Sequence, residues 1–167
     1  MLQLQDLPDT QVLTKFADRY PDANIEHVIH FLTLLRVGSD LSDVLDNFLA
    51  EYGLLQGRWW VLILLMREDD LMSTPSLLAE KAGVSRATMS GLIDGLDKEG
   101  LISRVTNVND RRKLHIKLTV AGQAKLDEVM PEYYRRVSDL MKVISSEQSD
   151  ALISTLKKLQ NNSDVFK

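Results

Sequence analysis

The hydrophobic pattern of this chain changes its period near residue 100, and that change restricts the folds open to it. Before this point, two short helical patterns are separated by a tight connection, GVS (83–85). After it, LISRVTN (101–107) and KLHIKLT (113–119) alternate between apolar and polar residues, as half-buried β-strands do. The short polar segment between the two runs predicts a β-hairpin. Helix, turn, helix and hairpin in this order predict a winged helix-turn-helix.

The residues at the predicted helix ends support this interpretation. Thr74 can cap free backbone amides, and Pro75 follows at a position where no amide donor is needed. Ser85 can cap the next helix in the same way, and we expect that helix to run to Glu99 and to stop at Gly100. The two helices of the motif are therefore bounded by local signals at both ends.

The two ends of the chain carry helical patterns instead. Residues 1–53 and 120–167 are predicted to be a helical dimerisation region, and residues 54–119 a winged helix-turn-helix DNA-binding domain. The expected fold is mainly α, with a small β-hairpin wing, in the α+β class. The terminal helices have apolar stripes that a chain of 167 residues could not fully bury on itself. This pattern predicts a homodimer with a shared helical interface.

The second helix of the motif has two contrasting faces. Its apolar face is formed by four residues, Met89, Leu92, Ile93 and Leu96. Gly91 and Gly95 lie on the other side, although each interior glycine costs about 1 kcal/mol relative to alanine. Either small residues let the helix backbone approach DNA, or they pack tightly against a neighbouring helix, or they have no role. Asp94 and Lys98 have the spacing of an ion pair within the helix.

Positive charge is concentrated in the middle of an acidic chain. Residues 72–120 contain eight Lys or Arg and five Asp or Glu, an excess of three, whereas the whole chain has a formal charge of −4. Arg111, Arg112 and Lys113 stand at the predicted hairpin tip, where they can contact phosphates or enter a narrow minor groove. We assign Asp110 to holding Arg112 by a bidentate ion pair. The alternative is that NDRRK is simply a solvated turn.

The start of the second helix is the expected site of base reading. Arg86, Thr88 and Ser90 can reach base edges and phosphates there. In a homodimer the two reading helices would lie about 34 Å apart and would read an inverted repeat in double-stranded DNA. The complete set of predicted DNA-contacting residues is Thr74, Ser76, Ser85, Arg86, Thr88, Ser90, Gly91, Asp110, Arg111, Arg112 and Lys113.

The segment GVSRATMSGLIDGLDKEGLISRVTNVNDRRKLHIKLTVAGQ (83–123) resembles the winged helix of the MarR family of bacterial transcription factors. EYGLLQGRWWVLILLMRED (51–69) resembles the family's preceding segment. The resemblance implies a homodimeric, ligand-responsive repressor that binds palindromic operators, with Arg112 as the wing arginine. It also matches Ser85, Arg86, Thr88 and Ser90 to the start of the recognition helix. Many members carry a basic residue where this chain has Gly91.

An effector, if one acts here, is expected where the helical and winged parts join. His27, His30, Arg36, Trp59 and Trp60 could line such a cavity and would suit an aromatic or anionic small molecule. The favoured alternative for the tryptophans is that they are core residues, because they lie in a run that is apolar on nearly every side. The two histidines have the spacing of a metal pair but lack a third ligand, so a hydrogen-bonded pair is the alternative.

Several functional classes receive no support from the sequence. The chain has no cysteine, which excludes disulfides and thiolate chemistry. No Gly-rich phosphate loop, G-x-S-x-G or metal-ligand cluster is present, so we expect neither an enzyme nor a bound metal or cofactor. The absence of a signal peptide and of a long apolar run predicts a cytoplasmic protein without a membrane partner. The remaining alternative is a winged-helix protein-interaction module, which would have little use for a basic wing tip.

Overall fold

The computed structural model describes residues 10–106 and 114–166. The α-helices in these ranges are α1 (Thr10–Arg19), α2 (Ile25–Ala50), α3 (Gln56–Met66), α4 (Pro75–Ala82), α5 (Arg86–Lys98), α6 (Val120–Met141) and α7 (Ser146–Asn161). The strands are β1 (Met72–Ser73), β2 (Ile102–Thr106) and β3 (Leu114–Leu118), and a short 3-10 helix covers Ser163–Phe166. The predicted mainly helical fold with a small β wing is confirmed.

Local hydrogen bonds set most of the helix starts. Asn24 caps α2, because its side chain accepts from the backbone N–H of His27 at 3.0 Å. Ser145 and Gln148 form a complete capping box at the start of α7. Gly83 ends α4 in the left-handed conformation, with φ of 66°. These signals lie within a few residues of each other in the sequence, which is why they could be predicted.

The sheet has three strands in the order β1-β3-β2, all antiparallel. The β2–β3 hairpin is the one predicted, with Ile102 opposite Leu118 and Thr106 opposite Leu114. The third strand, β1, was not predicted. It pairs with β3 through Ser73 opposite Ile116, so that β3 becomes the central strand.

The wing continues directly into α6 through Thr119. The backbone N–H of Thr119 donates to the carbonyl of Leu101 at 3.2 Å, and its hydroxyl donates to the carbonyl of Gly100 at 2.7 Å. The same hydroxyl oxygen accepts from the backbone N–H of Gly122 at 3.0 Å and so caps α6. Three hydrogen bonds therefore hold the short connection between β3 and α6.

The hydrophobic core lies mainly in the winged part of the chain. Side chains from α3, α4, α5, the sheet and the first half of α6 form one cluster, which Phe48 and Leu49 extend into the end of α2. Its fully buried large members include Trp59, Leu62, Leu65, Leu78, Met89, Leu96, Ile102, Ile116, Leu118 and Leu126. By contrast, α7 contributes no buried residue. No helix in residues 10–106 and 114–166 is both long and apolar enough to cross a membrane.

Candidate nucleic-acid interface

The core fixes the orientation of α5. Met89, Ile93 and Leu96 are buried and Leu92 is half-buried, as the sequence pattern predicts. The opposite face is exposed to solvent and consists of small or polar side chains and one arginine, namely Arg86, Ala87, Ser90, Gly91 and Asp94. Because one face is held in the core, the other is presented outward as a fixed surface.

Hydroxyl groups organise the first turn of α5. The Oγ atom of Ser85 accepts from the backbone N–H of Thr88 at 3.0 Å and lies 2.8 Å from Oγ1 of Thr88. The bond between the two hydroxyls uses one of their two protons, so one proton remains free to donate to a phosphate or a base. Arg86 is exposed beside them and forms no ion pair with any residue that the structure describes. Within the described part of the chain, this turn thus presents a guanidinium without an ionic partner and one hydroxyl proton that the Ser85–Thr88 bond does not use.

The start of α4 presents further hydroxyl groups. The side chain of Thr74 accepts from the backbone N–H of Leu77 at 3.3 Å, as expected for a helix cap, and is half-buried. Ser76 is exposed in the first turn of the same helix. Helices α4 and α5 are in contact, and both pack against α3.

The two glycines on the outer side of α5 have different surroundings. A Cβ added at Gly91 would meet no atom of the described residues within 4 Å, so this position is open on their side. A Cβ added at Gly95 would lie 2.5 Å from Nη2 and 2.8 Å from Cζ of Arg58, a residue of α3. The tight-packing explanation therefore applies to Gly95. For Gly91 two explanations remain: either the helix backbone approaches DNA closely there, or the glycine has no role.

Arg104 joins the wing to α5. Its guanidinium forms ion pairs with two acids of that helix, Asp94 and Asp97, the latter with Nε to Oδ2 at 3.1 Å. Among the residues that the structure describes, Asp94 pairs with Arg104 and not with Lys98 as its spacing predicts. The guanidinium of Arg104 can donate hydrogen bonds to two carboxylates at once, and it has more donors than the ammonium group of Lys98. The stem of the wing and the outward face of α5 are thus tied together.

The predicted tip of the wing lies outside the described residues, and Asp110, Arg111, Arg112 and Lys113 all belong to it. Their contacts with DNA and the Asp110–Arg112 pair stay predictions. On the described part of the wing, Lys117 is exposed on β3.

The structure separates the residues predicted to line an effector cavity. His27 and His30 line a cavity of about 490 Å³ between α2 and α7. Arg36 forms an ion pair with Asp40 at 2.9 Å and does not line this cavity. Within residues 10–106 and 114–166, no group of three or more His, Cys, Asp or Glu is placed to hold a metal ion.

The two tryptophans lie elsewhere. Trp59 is fully buried in the core, with its ring centroid 5.6 Å from that of Tyr133 in an edge arrangement. Trp60 is 38% exposed, and neither ring lines the α2–α7 cavity. Sequence reasoning missed the apolar walls of that cavity, to which α2 contributes Phe31 and Leu34. Both recur at helical spacing from His27, and this periodicity was the available signal.

An ion-pair network holds α6 to the end of α2. The Nε of Arg136 donates to Glu132 at 2.8 Å, and its Nη2 lies 3.2 Å from Glu51 of the α2–α3 connection. Its Cζ lies 4.6 Å from the ring centroid of Phe48, a cation–π distance. Hydrogen bonds from Arg135 and then from Arg136 lower the pKa of Glu132 to about 2.

Comparison with known proteins identifies the family. A sequence model of the MarR family matches residues 52–113. HTH-type transcriptional repressor YetL of Bacillus subtilis (strain 168) is 31% identical over 166 residues, which cover 99% of each chain.

Solved structures share the fold. Sco3205, a MarR family transcriptional regulator from Streptomyces coelicolor solved in complex with DNA, is 20% identical, has a TM-score of 0.77, and aligns over 84% of this chain and 89% of its own. CouR from Rhodococcus jostii RHA1, solved bound to p-coumaroyl-CoA, is 23% identical, has a TM-score of 0.66, and aligns over 77% of this chain and 89% of its own. The winged helix-turn-helix and the similarity to YetL over nearly the whole sequence lead to one conclusion. The chain belongs to the MarR family of transcriptional regulators.

Proposed function

We propose that this protein is a sequence-specific transcriptional repressor that binds a palindromic operator in double-stranded DNA as a homodimer. The observation that carries the proposal is the outward face of α5, which presents the exposed Arg86 and small polar residues on a helix whose other face is buried in the core. Such a face fits the major groove, where arginine can pair with guanine. The repressor YetL and the DNA complex of Sco3205 support this role.

The homodimer is inferred from unburied apolar surface on the terminal helices. Helix α2 exposes a series of large apolar side chains, among them Val28, Phe31, Leu35, Leu41 and Val44. Helices α6 and α7 add Val137, Leu140, Leu152, Ile153 and Leu159. An apolar surface of this extent is normally covered by a partner. We therefore propose that residues 1–53 and 120–167 form the dimerisation region around a winged helix-turn-helix domain of residues 54–119.

The decisive experiment is selection of bound sequences from a random duplex pool. Enrichment of an inverted repeat whose half-sites are about 10 base pairs apart supports both the operator and the dimer. We expect Arg86→Ala to weaken binding and to relax sequence preference, whereas Arg112→Ala weakens binding to all sequences. Lys142→Ala, a control on the far end of α6, leaves both unchanged. Equal affinity of all variants and the parent would remove the DNA-binding proposal and favour a protein-interaction module.

Sedimentation equilibrium tests the dimer separately. We expect a dimer at micromolar concentration, and Leu35→Glu on α2 should shift it towards monomer, because a charge would be buried in the shared surface. If the parent protein is a stable monomer at the same concentration, the proposed binding of a palindromic operator by a homodimer is contradicted.

A small-molecule effector is a second proposal, supported by the α2–α7 cavity and by the ligand of CouR. The cavity is apolar, with the imidazoles of His27 and His30 as its possible donors to an anion, so we infer an aromatic anion as ligand. Titration of the operator complex with aromatic carboxylates and p-coumaroyl-CoA should reveal a releasing compound. Replacing both His27 and His30 by Leu, which removes both donors, should weaken release, whereas His115→Leu should not. If a compound releases the double variant and the position-115 variant from the operator equally well, its binding site is not the α2–α7 cavity.

A further inference from the structure

The first turn of α3 contacts both α2 and the recognition helix, α5. Gln56 accepts a hydrogen bond from the hydroxyl of Ser42 on α2 at 3.2 Å. The next residue, Gly57, lies against Leu92 of α5, since a Cβ there would come within 3.0 Å of a Leu92 methyl group. We call residues 56–58 the α3 junction. It is a direct structural link between α2 and α5.

Arg58 completes the junction. Its guanidinium lies across α5 at Gly95 and forms an ion pair with Glu99, the residue that ends this helix. Only 24% of the Arg58 side chain is exposed, against 42% for Glu99. A Cβ at position 95 would occupy the space that the guanidinium now fills. The two groups cannot both be present without a displacement of Arg58.

This contact explains an otherwise unfavourable residue. Glycine is among the poorest helix formers, and Gly95 lies in the interior of α5. Its presence allows Arg58 to cross the helix and reach Glu99. The reading helix is thus held from α3 by a side chain that lies flat on its surface.

We propose that Arg58 is a positioning residue for the recognition helix. By fixing α5 against the α3 junction, it sets the angle of α5 relative to α2, and so the separation of the two reading helices in the dimer. The inference rests on the proposed function, a homodimer that reads an inverted repeat. It assigns no DNA contact to Arg58, because this guanidinium is already engaged by Glu99 and covered by α5.

The first test measures tolerance of operator spacing. Arg58→Met keeps most of the aliphatic stem and removes the guanidinium. Affinities are measured for the selected operator and for operators with one base pair added or removed between half-sites. We expect the parent to discriminate against both altered spacings, and Arg58→Met to lose about fivefold or more of that discrimination. Arg67→Met, an exposed arginine at the other end of α3, should retain it.

Salt dependence separates positioning from phosphate contact. The slope of log affinity against log salt should be the same for Arg58→Met and the parent. A slope reduced by about one unit identifies Arg58 as a phosphate contact and overturns the positioning role. A merely stabilising residue would lower the melting temperature without changing the preferred spacing, and this outcome overturns the role as well.

The second test uses Gly95 in two backgrounds. In the parent, Gly95→Ala should displace Arg58 and reproduce the relaxed spacing. In the Arg58→Met background no guanidinium obstructs the new methyl group, so Gly95→Ala should raise the melting temperature by about 2–4 °C through helix propensity alone. An equal rise in both backgrounds would contradict the contact on which the proposal depends.

The outcomes distinguish the two proposals. If the parent selects no preferred sequence, the proposed function fails, and the positioning role fails with it. If the parent prefers one spacing and Arg58→Met keeps that preference unchanged, only the positioning role is overturned.

Discussion

Glycines show most directly how one residue is constrained by its surroundings. Gly91 and Gly122 both lie inside helices, in α5 and α6, yet they differ in the space around them. Among the residues that the structure describes, none lies within 4 Å of a Cβ at Gly91, whereas a Cβ at Gly122 would overlap the carbonyl oxygen of Leu101 and lie 2.6 Å from a Leu118 methyl group. The clash at Gly122 involves backbone, which cannot move aside as a long side chain can.

Alanine at these two positions should therefore have opposite effects. Gly91→Ala should stabilise the protein by about 1 kcal/mol through helix propensity. Gly122→Ala should destabilise it by about 1–3 kcal/mol, because overpacking outweighs that gain. Urea unfolding of both variants checks the signs, and stabilisation by both would contradict the packing of α6 on Leu101. Operator affinity of Gly91→Ala also tests whether DNA approaches the helix there: a loss supports close approach.

Glu132 is a single residue that should make the stability of the folded protein depend on pH. Hydrogen bonds from Arg135 and Arg136 lower its pKa to about 2 in the folded protein, below the ordinary 4.5. The unfolded chain therefore binds more protons between these values, and the stability contributed by Glu132 is complete above pH 4.5 and lost as pH falls towards 2.

Melting temperatures of the parent and Glu132→Gln from pH 2 to 7 check this. We expect the parent to be the more stable at neutral pH and the difference to shrink below pH 4.5. Val137→Ala, also on α6, is the control, because it changes no titratable group and its difference from the parent should not depend on pH through that side chain. A difference between parent and Glu132→Gln that stays constant with pH would contradict the assignment.

At the scale of elements, the wing and α5 behave as one unit because of Arg104. This residue of β2 forms ion pairs with Asp94 and Asp97 on the helix that faces the proposed DNA. Its side chain is 38% exposed, so the pairs contribute little to stability, about 1 kcal/mol or less. Their greater effect is to offset one of the two negative charges on a surface that phosphates approach.

Arg104→Ala should therefore affect binding more than folding. We expect operator affinity to fall by about tenfold or more, because the freed carboxylates repel phosphates. Adding Asp94→Asn to this variant should restore part of the loss, which a gel-shift series at fixed salt measures. Failure of the second substitution to restore any affinity would show that Arg104 acts in another way.

The elements also show what the sequence could reveal. Thr74, Ser85 and Ser145 are cap residues whose partners lie three residues away, so their helices could be predicted from local patterns. Strand β1 was missed because two residues, Met72 and Ser73, show no alternation and become a strand only by pairing with β3 some 44 residues later. Contacts between distant elements leave no periodic signal.

The candidate site divides in the same way. The outward face of α5 followed from helical periodicity and is confirmed, except at Gly95, which is half-buried against Arg58 of α3. The Asp94 pair was wrong because its partner, Arg104, comes from a different element. Trp59 was a candidate for the cavity, with the core as the favoured alternative, and its full burial and its packing against Tyr133 place it in the core. The role of Arg58 could not be predicted, since nothing in the sequence places it against Gly95.

At the scale of the whole molecule, charge is separated along the chain. Residues 72–120 carry an excess of three positive charges within a chain of net charge −4. A homodimer would combine two such basic regions on one face. Terminal regions that are acidic on balance would not approach the polyanion.

This separation predicts a strong salt dependence. If the dimer neutralises about 6 to 10 phosphates, its affinity should fall by about 10³ to 10⁵ between 50 and 200 mM salt. Fluorescence anisotropy with operator and with an unrelated duplex measures both slopes. Affinity that is insensitive to salt would contradict a phosphate-dominated interface.

The short connection at Thr119 has a mechanical consequence. Its three hydrogen bonds, with Leu101, Gly100 and Gly122, connect the central strand of the sheet firmly to α6. A rotation of β3 relative to α6 would therefore require these hydrogen bonds to break. A rotation of the sheet is therefore passed to the first turns of α6, whereas Pro131 inside this 22-residue helix removes one backbone hydrogen bond and marks the point at which the helix can bend.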